Sequence, residues 1–188
     1  LSGATAHNLF TSNDQIFTLD LLPISDGVVS ISVLTGATVD AAGNENTADS
    51  ASLTSDRTPP EILSFSPTLI TNSPLELSTV TFTLSEQFDA DTVSLDDIQL
   101  LASSGQDISD RLTGVTIDGT NIVVDMVTQT TSGDYTLFIG PDIRDTAGNQ
   151  LDHDGDGNAG EVLDDRFIAT VHINESPIAR DDLFTIDE

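Results

Sequence analysis

Apolar residues in this chain recur in short alternating blocks. In "STVTFTLS" (78–85), Val80, Phe82 and Leu84 fall on one face, with threonine and serine between them. A period of two sends successive side chains to opposite faces, so this block predicts a half-buried strand. "QIFTLDLL" (15–22) and "GVVSISVL" (27–34) predict two strands that pair across a turn containing Pro23 and Gly27. "GVTIDGTNIVVDM" (114–126) predicts a hairpin, because Asp118-Gly119 interrupts two β-branched runs. "DYTLFIG" (134–140) and "RFIATVHI" (166–173) predict two more strands, and "SLDDIQLL" (94–101) one short helical turn before a strand. No long window carries apolar residues at i, i+3, i+4 and i+7. Short strands separated by glycine-containing turns point to an all-β sandwich.

The strand pattern repeats along the chain. "DAAGN" (40–44) and "DTAGN" (145–149) each follow a strand block, and each precedes a polar stretch, a strand and a proline junction, "DRTPPEI" (56–62) or "NESPIA" (174–179). From Asn44 to Pro60 is 16 positions and from Asn149 to Pro177 is 28, so the second copy is 12 residues longer. The acidic stretch 152–163 accounts for that length. The expected organisation is therefore three pieces. Residues 1–57 are the C-terminal part of one domain, lacking its first strands and exposing a sheet edge or apolar face. Residues 58–173 are a complete domain, and 174–188 begin a third. A first residue other than methionine agrees with a piece of a longer polypeptide whose targeting signals lie elsewhere.

Composition narrows the function. The 188 residues carry 32 acidic and five basic side chains, a net charge of -27; all five basic residues are arginine. Nucleic-acid binding needs cations that displace phosphate counterions, so it is excluded as an expected role. No apolar run approaches the ~20 residues that span a bilayer, so no membrane insertion is expected in this segment. There is no cysteine. The sequence also lacks a G-x-S-x-G or H-E-x-x-H motif and a phosphate-binding glycine loop, and His7, His153 and His172 are far apart. No enzyme activity is expected.

The candidate chemistry lies in "LDHDGDGNAGEVLDD" (151–165). Asp152, Asp154 and Asp156 occupy positions 1, 3 and 5 of a D-x-D-x-D-G loop, with Gly157 at the sharp turn and Asn158 able to offer a backbone carbonyl. Calcium takes six to eight oxygen ligands, and this spacing resembles the first half of an EF-hand loop. The second half departs from it: Leu163 stands where a bidentate glutamate belongs. Glu161, Asp164 or Asp165 would then complete the shell. Calcium is the expected cofactor. His153 reads as a solvent-facing filler. Asp40 and Asp145 read chiefly as turn residues, with calcium ligation between domains as the alternative.

A strand block, then D-x-A-G-N, a further strand and a T-P-P or S-P junction resembles bacterial immunoglobulin-like repeats of large exported surface proteins and adhesins. The resemblance covers 1–57 and 58–173. Residues 174–188 are similar to the start of a cadherin-like repeat. The resemblance implies tandem immunoglobulin-like β-sandwiches, the first incomplete, in a structural or adhesive region at the cell surface or outside the cell. The partners implied are neighbouring repeats of the same chain and a cell-surface or glycan ligand. The alternative is a spacer or carbohydrate-binding accessory region of a secreted hydrolase.

Overall fold

The computed structural model of the protein describes residues 1–11, 16–71 and 74–175. The chain divides into two compact units, Leu1–Thr58 and Pro59–Glu188. The cadherin-like start expected over 174–188 lies, from residue 176 onward, outside the described residues.

Among the described residues, the first unit holds four strands: β1 (Ala4–Thr11), β2 (Phe17–Pro23), β3 (Gly27–Val33) and β4 (Asp49–Ser55). β1 pairs antiparallel with β2, and β3 with β4. This corrects the expected pairing of 15–22 with 27–34. Alternation specifies which face of a strand is apolar but not which strand lies beside it. β2 finds its partner in β1, whose "ATAHNLFT" is too polar to stand out as a strand. The segment holding Pro23 and Gly27 instead carries the chain from one two-stranded sheet to the other.

The second unit is a two-sheet sandwich. Its strands are β5 (Ile62–Ser66), β6 (Leu69–Ile70), β7 (Leu77–Leu84), β8 (Ile98–Leu101), β9 (Leu112–Asp118), β10 (Asn121–Gln129), β11 (Gly133–Ile139) and β12 (Phe167–Ile173). One sheet has the order β5-β7-β10-β9, the other β6-β12-β11-β8. All pairs are antiparallel except β6 with β12. If β5, β7, β10 and β9 are lettered A, B, E and D, and β8, β11 and β12 are C, F and G, this is the immunoglobulin strand order. Tyr135, buried at the start of β11, donates its hydroxyl to the Thr131 carbonyl four residues back, the tyrosine corner of such sandwiches. The β9–β10 hairpin forms as expected: Asp118 pairs with Asn121, and Gly119 adopts a positive φ of 64° in the two-residue loop. The short turn expected before β8 is a 3-10 turn, Leu95–Asp97, closed by a capping box between Ser94 and Asp97.

The alternating faces meet between the sheets. Val80, Phe82 and Leu84 of β7 face Leu100 of β8, Leu137 and Ile139 of β11 and Val171 of β12, all buried. Phe65, Phe82 and Phe167 form a cluster with ring centroids 5.9–6.3 Å apart, two of its three contacts edge-on.

The first unit repeats the second half of this plan. Gly27 pairs with Ser55 at one end of β3–β4, as Gly133 pairs with Ile173 in β11–β12, and each strand has seven residues. Counting from those glycines, Val29, Ile31 and Val33 match Tyr135, Leu137 and Ile139. Leu53 likewise matches Val171. The second-unit positions are at most 2% exposed, whereas Val33 is 46% and Leu53 55% exposed. Among the described residues of the first unit, β1–β4 answer to β9–β12, and nothing answers to β5–β8.

One polar network on the second unit has a measurable acid limit. The Gln99 amide donates to Asp107 Oδ2 at 2.7 Å, and the Ser109 hydroxyl and N–H donate to Oδ1 at 2.7 and 2.9 Å. The Gln99 bond, then those from Ser109, lower the carboxyl to about 2. A depressed carboxylate stabilises the fold fully above its ordinary value of 3.8, and that contribution is lost as pH falls through about 2. An NMR titration should place the Asp107 midpoint near 2, and Gln99→Ala should move it up toward 3.8. Core and surface should also differ sharply. Phe82→Ala removes a fully buried ring and should cost about 3–5 kcal/mol in denaturant unfolding. Leu53→Ala, at a half-open position, should cost about 0.5 kcal/mol or less.

Candidate metal centre

The chain holds two copies of one turn, one in each unit, and the second leads into the site. In the first unit, the Ala42 and Asn44 N–H groups donate to Asp40 Oδ1 at 2.8 Å each, and Asn44 Nδ2 donates to Oδ2 at 2.9 Å. In the second unit, the Ala147 and Asn149 N–H groups donate to Asp145 Oδ1 at 2.8 Å each, and Asn149 Nδ2 to Oδ2 at 2.7 Å. Gly43 and Gly148 supply the positive φ that lets the backbone curl around the carboxylate. The flanking bridges Val39–Glu45 and Arg144–Gln150 also correspond. Each aspartate therefore braces its own turn with both oxygens. At exposed Asp40, the Asn44 side chain and then the Asn44 N–H hold the carboxyl below its ordinary value. Asp145 is 1% exposed, so its carboxylate accepts these bonds while shielded from water on its own side.

The second turn launches the acidic segment. The β3–β4 connection, residues 34–48, holds 15 residues, and the β11–β12 connection, residues 140–166, holds 27. The added length follows the turn. Leu151, fully buried, anchors its start through an N–H bond to the Ile143 carbonyl at 2.9 Å. Asp165, also fully buried, anchors its end: Oδ1 accepts from the His153 N–H at 2.9 Å and Oδ2 from the Glu161 N–H at 2.7 Å. Gly160 lies so close to Gln150 that a Cβ there would come within 2.5 Å of its side chain.

Between these anchors the loop gathers three carboxylates. Asp152, Asp154 and Asp156 each place an oxygen within 4.8 Å of the others. Asp152 is buried and turns the backbone, accepting from the Gly155 N–H at 2.9 Å and the Gly157 N–H at 3.0 Å. Asp154 accepts from the Asp156 N–H, and Asp156 from the Asn158 N–H. Asn158 directs its side-chain amide to Asp156 Oδ2 at 2.9 Å. Glu161 and Asp164 lie outside this close group of three. Partial desolvation, then the negative charges of Asp156, Asp164, Asp165 and Asp154, raise the Glu161 carboxyl above its ordinary value. Position 12, Leu163, is 91% exposed.

Two residues take roles that spacing did not reveal. Asp165, grouped by sequence with the possible ligands, is a brace whose oxygens both hold backbone N–H groups. His153 is exposed, yet its ring packs edge-on against Phe167 with centroids 5.1 Å apart, so it is more than a solvent-facing filler. Neither role has a sequence signature, because the partners are main-chain groups or come from another strand.

Residues 56–156 match the bacterial Ig-like domain family, and the chain belongs to that family. It is a family of non-catalytic domains. The match stops at Asp156, inside the acidic segment and before β12. No curated protein matches the chain. Among solved structures, the chain is similar to the N-terminal part of the bacterial S-layer protein SbsC, with 18% identity and a TM-score of 0.38. That similarity covers 50% of this chain and 21% of the other, so the chain spans about a fifth of that structure's length.

The two braces should respond differently to truncation. Asp145→Ala removes a buried carboxylate that holds three donors of the turn and should cost about 1–3 kcal/mol in thermal or denaturant unfolding. Asp40→Ala, at an exposed turn, should produce a clearly smaller loss.

Proposed function

We propose that this chain is a non-catalytic structural and adhesive repeat region of an exported bacterial surface protein, in which Ig-like repeats hold neighbouring parts of the polypeptide apart and calcium stiffens the acidic segment. The observation that carries the calcium reading is the convergence of Asp152, Asp154 and Asp156 on one point of a loop anchored at both ends. Three hard oxygen donors suit calcium, which accepts irregular shells and completes them with carbonyls and water. Asp152 still has lone pairs free after accepting two N–H bonds, since a carboxylate offers about four. Without a cation, three negative charges within 4.8 Å oppose one another. Bound calcium would remove that repulsion and supply a positive centre for Glu161 or Asp164 to swing toward. Magnesium suits the loop less, because it keeps most of its water and demands octahedral geometry.

The spacer reading rests on the family, on the duplicated strand-turn-strand plan and on the net charge. A surface of carboxylates keeps such a chain solvated and discourages collapse between repeats. No described helix is long and apolar enough to cross a membrane.

The site should bind in the ~10⁻⁴–10⁻³ M range typical of extracellular calcium modules. At calcium about tenfold above Kd, linkage adds about 1.4 kcal/mol to stability. Calorimetric titration should show binding heat, and the melting temperature should rise by a few degrees and fall back with chelator. Asp154→Asn with Asp156→Asn should remove both signals while leaving the apo melting temperature unchanged or higher. An absent binding heat and an unmoved melting temperature in the wild type would refute the calcium reading.

A further inference from the structure

A second feature lies at the opposite end of β11 from the acidic loop. There the end of β10, the β10–β11 corner and the turn after β8 enclose an open cavity of about 380 Å³. A Cβ on Gly133 would come within 2.6 Å of the Ser103 Cβ, so the turn after β8 lies directly against the corner. The volume sits at the low end of small-ligand sites. Most of its lining side chains carry a hydroxyl or amide: Ser103, Thr128, Gln129 and Thr130 stand around the buried Tyr135, with Arg111 beside them and Ile108 supplying an apolar patch.

Two observations set this cavity apart from the rest of the surface. In a chain with 32 acidic residues, no carboxylate lines it. The second concerns the arginines. Arg57 donates to the Pro23 carbonyl, Arg144 to the Gly148 carbonyl and the Gln150 amide, and Arg166 lies over the Phe138 ring. Arg111 has no side-chain partner among the described residues. Arg111 is exposed, so its guanidinium donors face water and are open to an incoming acceptor. The acidic loop lies beyond the other end of β11, and Asp110 and Asp134, each next in sequence to a lining residue, stay outside the lining. Seven strand residues at ~3.3 Å each put those ends ~20 Å apart, more than two screening lengths at physiological salt. The negative field of the loop is therefore weak at Arg111.

We infer that this cavity binds a carboxylate-bearing saccharide, with Arg111 taking the carboxylate and the hydroxyl and amide groups taking the sugar hydroxyls. A planar guanidinium matches a carboxylate through two parallel N–H bonds. The Gln129 amide, which uses one N–H on the Val127 carbonyl, keeps its oxygen and second N–H for the ligand. The Tyr135 hydroxyl is committed to Thr131, so its ring acts as a fixed wall. This inference is independent of calcium binding.

The test uses the full chain, labelled with ¹⁵N and titrated with methyl glucuronoside and, separately, methyl glucoside, which differ at one carboxylate. The expected result is saturable shifts confined to Arg111, Ser103 and residues 128–135, with the glucuronoside bound about tenfold more tightly, as one charge-assisted pair supplies. Arg111→Gln, at an exposed position, should keep the spectrum of the folded sandwich and reduce that preference to about one. Equal affinity for the two sugars, shifts elsewhere on the protein, or no shifts would overturn the inference, as would a preference that survives Arg111→Gln.

Discussion

The buried carboxylate of Asp145 sets the geometry of everything beyond β11. Its two oxygens collect three donors from the next four residues, and the carboxylate itself is almost wholly shielded from water. A carboxylate that accepts several N–H bonds tolerates burial that a bare charge would not. The closed turn delivers Gln150 back against Arg144 and Leu151 onto the core. Only from that fixed point can a long loop leave and return without disturbing the β11–β12 register. The matching turn at Asp40 makes the same bonds in the open, where water competes for every donor. The two copies share a wiring diagram and differ in how much the wiring matters.

Charge acts on this protein at two scales. Across the surface, a net charge of -27 favours solvation and works weakly against compactness. Within the acidic loop the same sign is concentrated on one point, where repulsion is local and poorly screened. The fold answers with backbone amides: Asp152 and Asp165 together draw four N–H groups inward. These bonds shape the loop and partly offset its charge, and they leave Asp154 and Asp156 facing solvent.

Much of the sandwich is legible in the sequence. Alternation in β7 identifies Val80, Phe82 and Leu84, all at most 2% exposed, and Asp118-Gly119 marks a real hairpin. The pattern failed where it carried no information. Alternation does not assign partners, and β2 and β3, neighbours in sequence, lie in different sheets. It passed over β1, because a strand with little buried surface needs few apolar residues. At the acidic loop, spacing identified Asp152, Asp154 and Asp156, since their proximity follows from local chain geometry. It could not separate Asp165 from possible ligands, because its role depends on the backbone of His153 and Glu161. The cavity around Arg111 was invisible for a related reason: it joins a turn after β8 to a corner after β10, segments more than twenty positions apart.

The unequal β11–β12 connection has a consequence for how such chains diversify. Lengthening a closed loop from 15 to 27 residues costs only ~0.5 kcal/mol in closure entropy, because that cost grows with the logarithm of length. A repeat with a rigid clamp at the root of this loop therefore has a nearly free slot for new chemistry. Successive repeats can carry different cassettes there, one plain and one acidic, while the strands on either side keep the same seven-residue pairing.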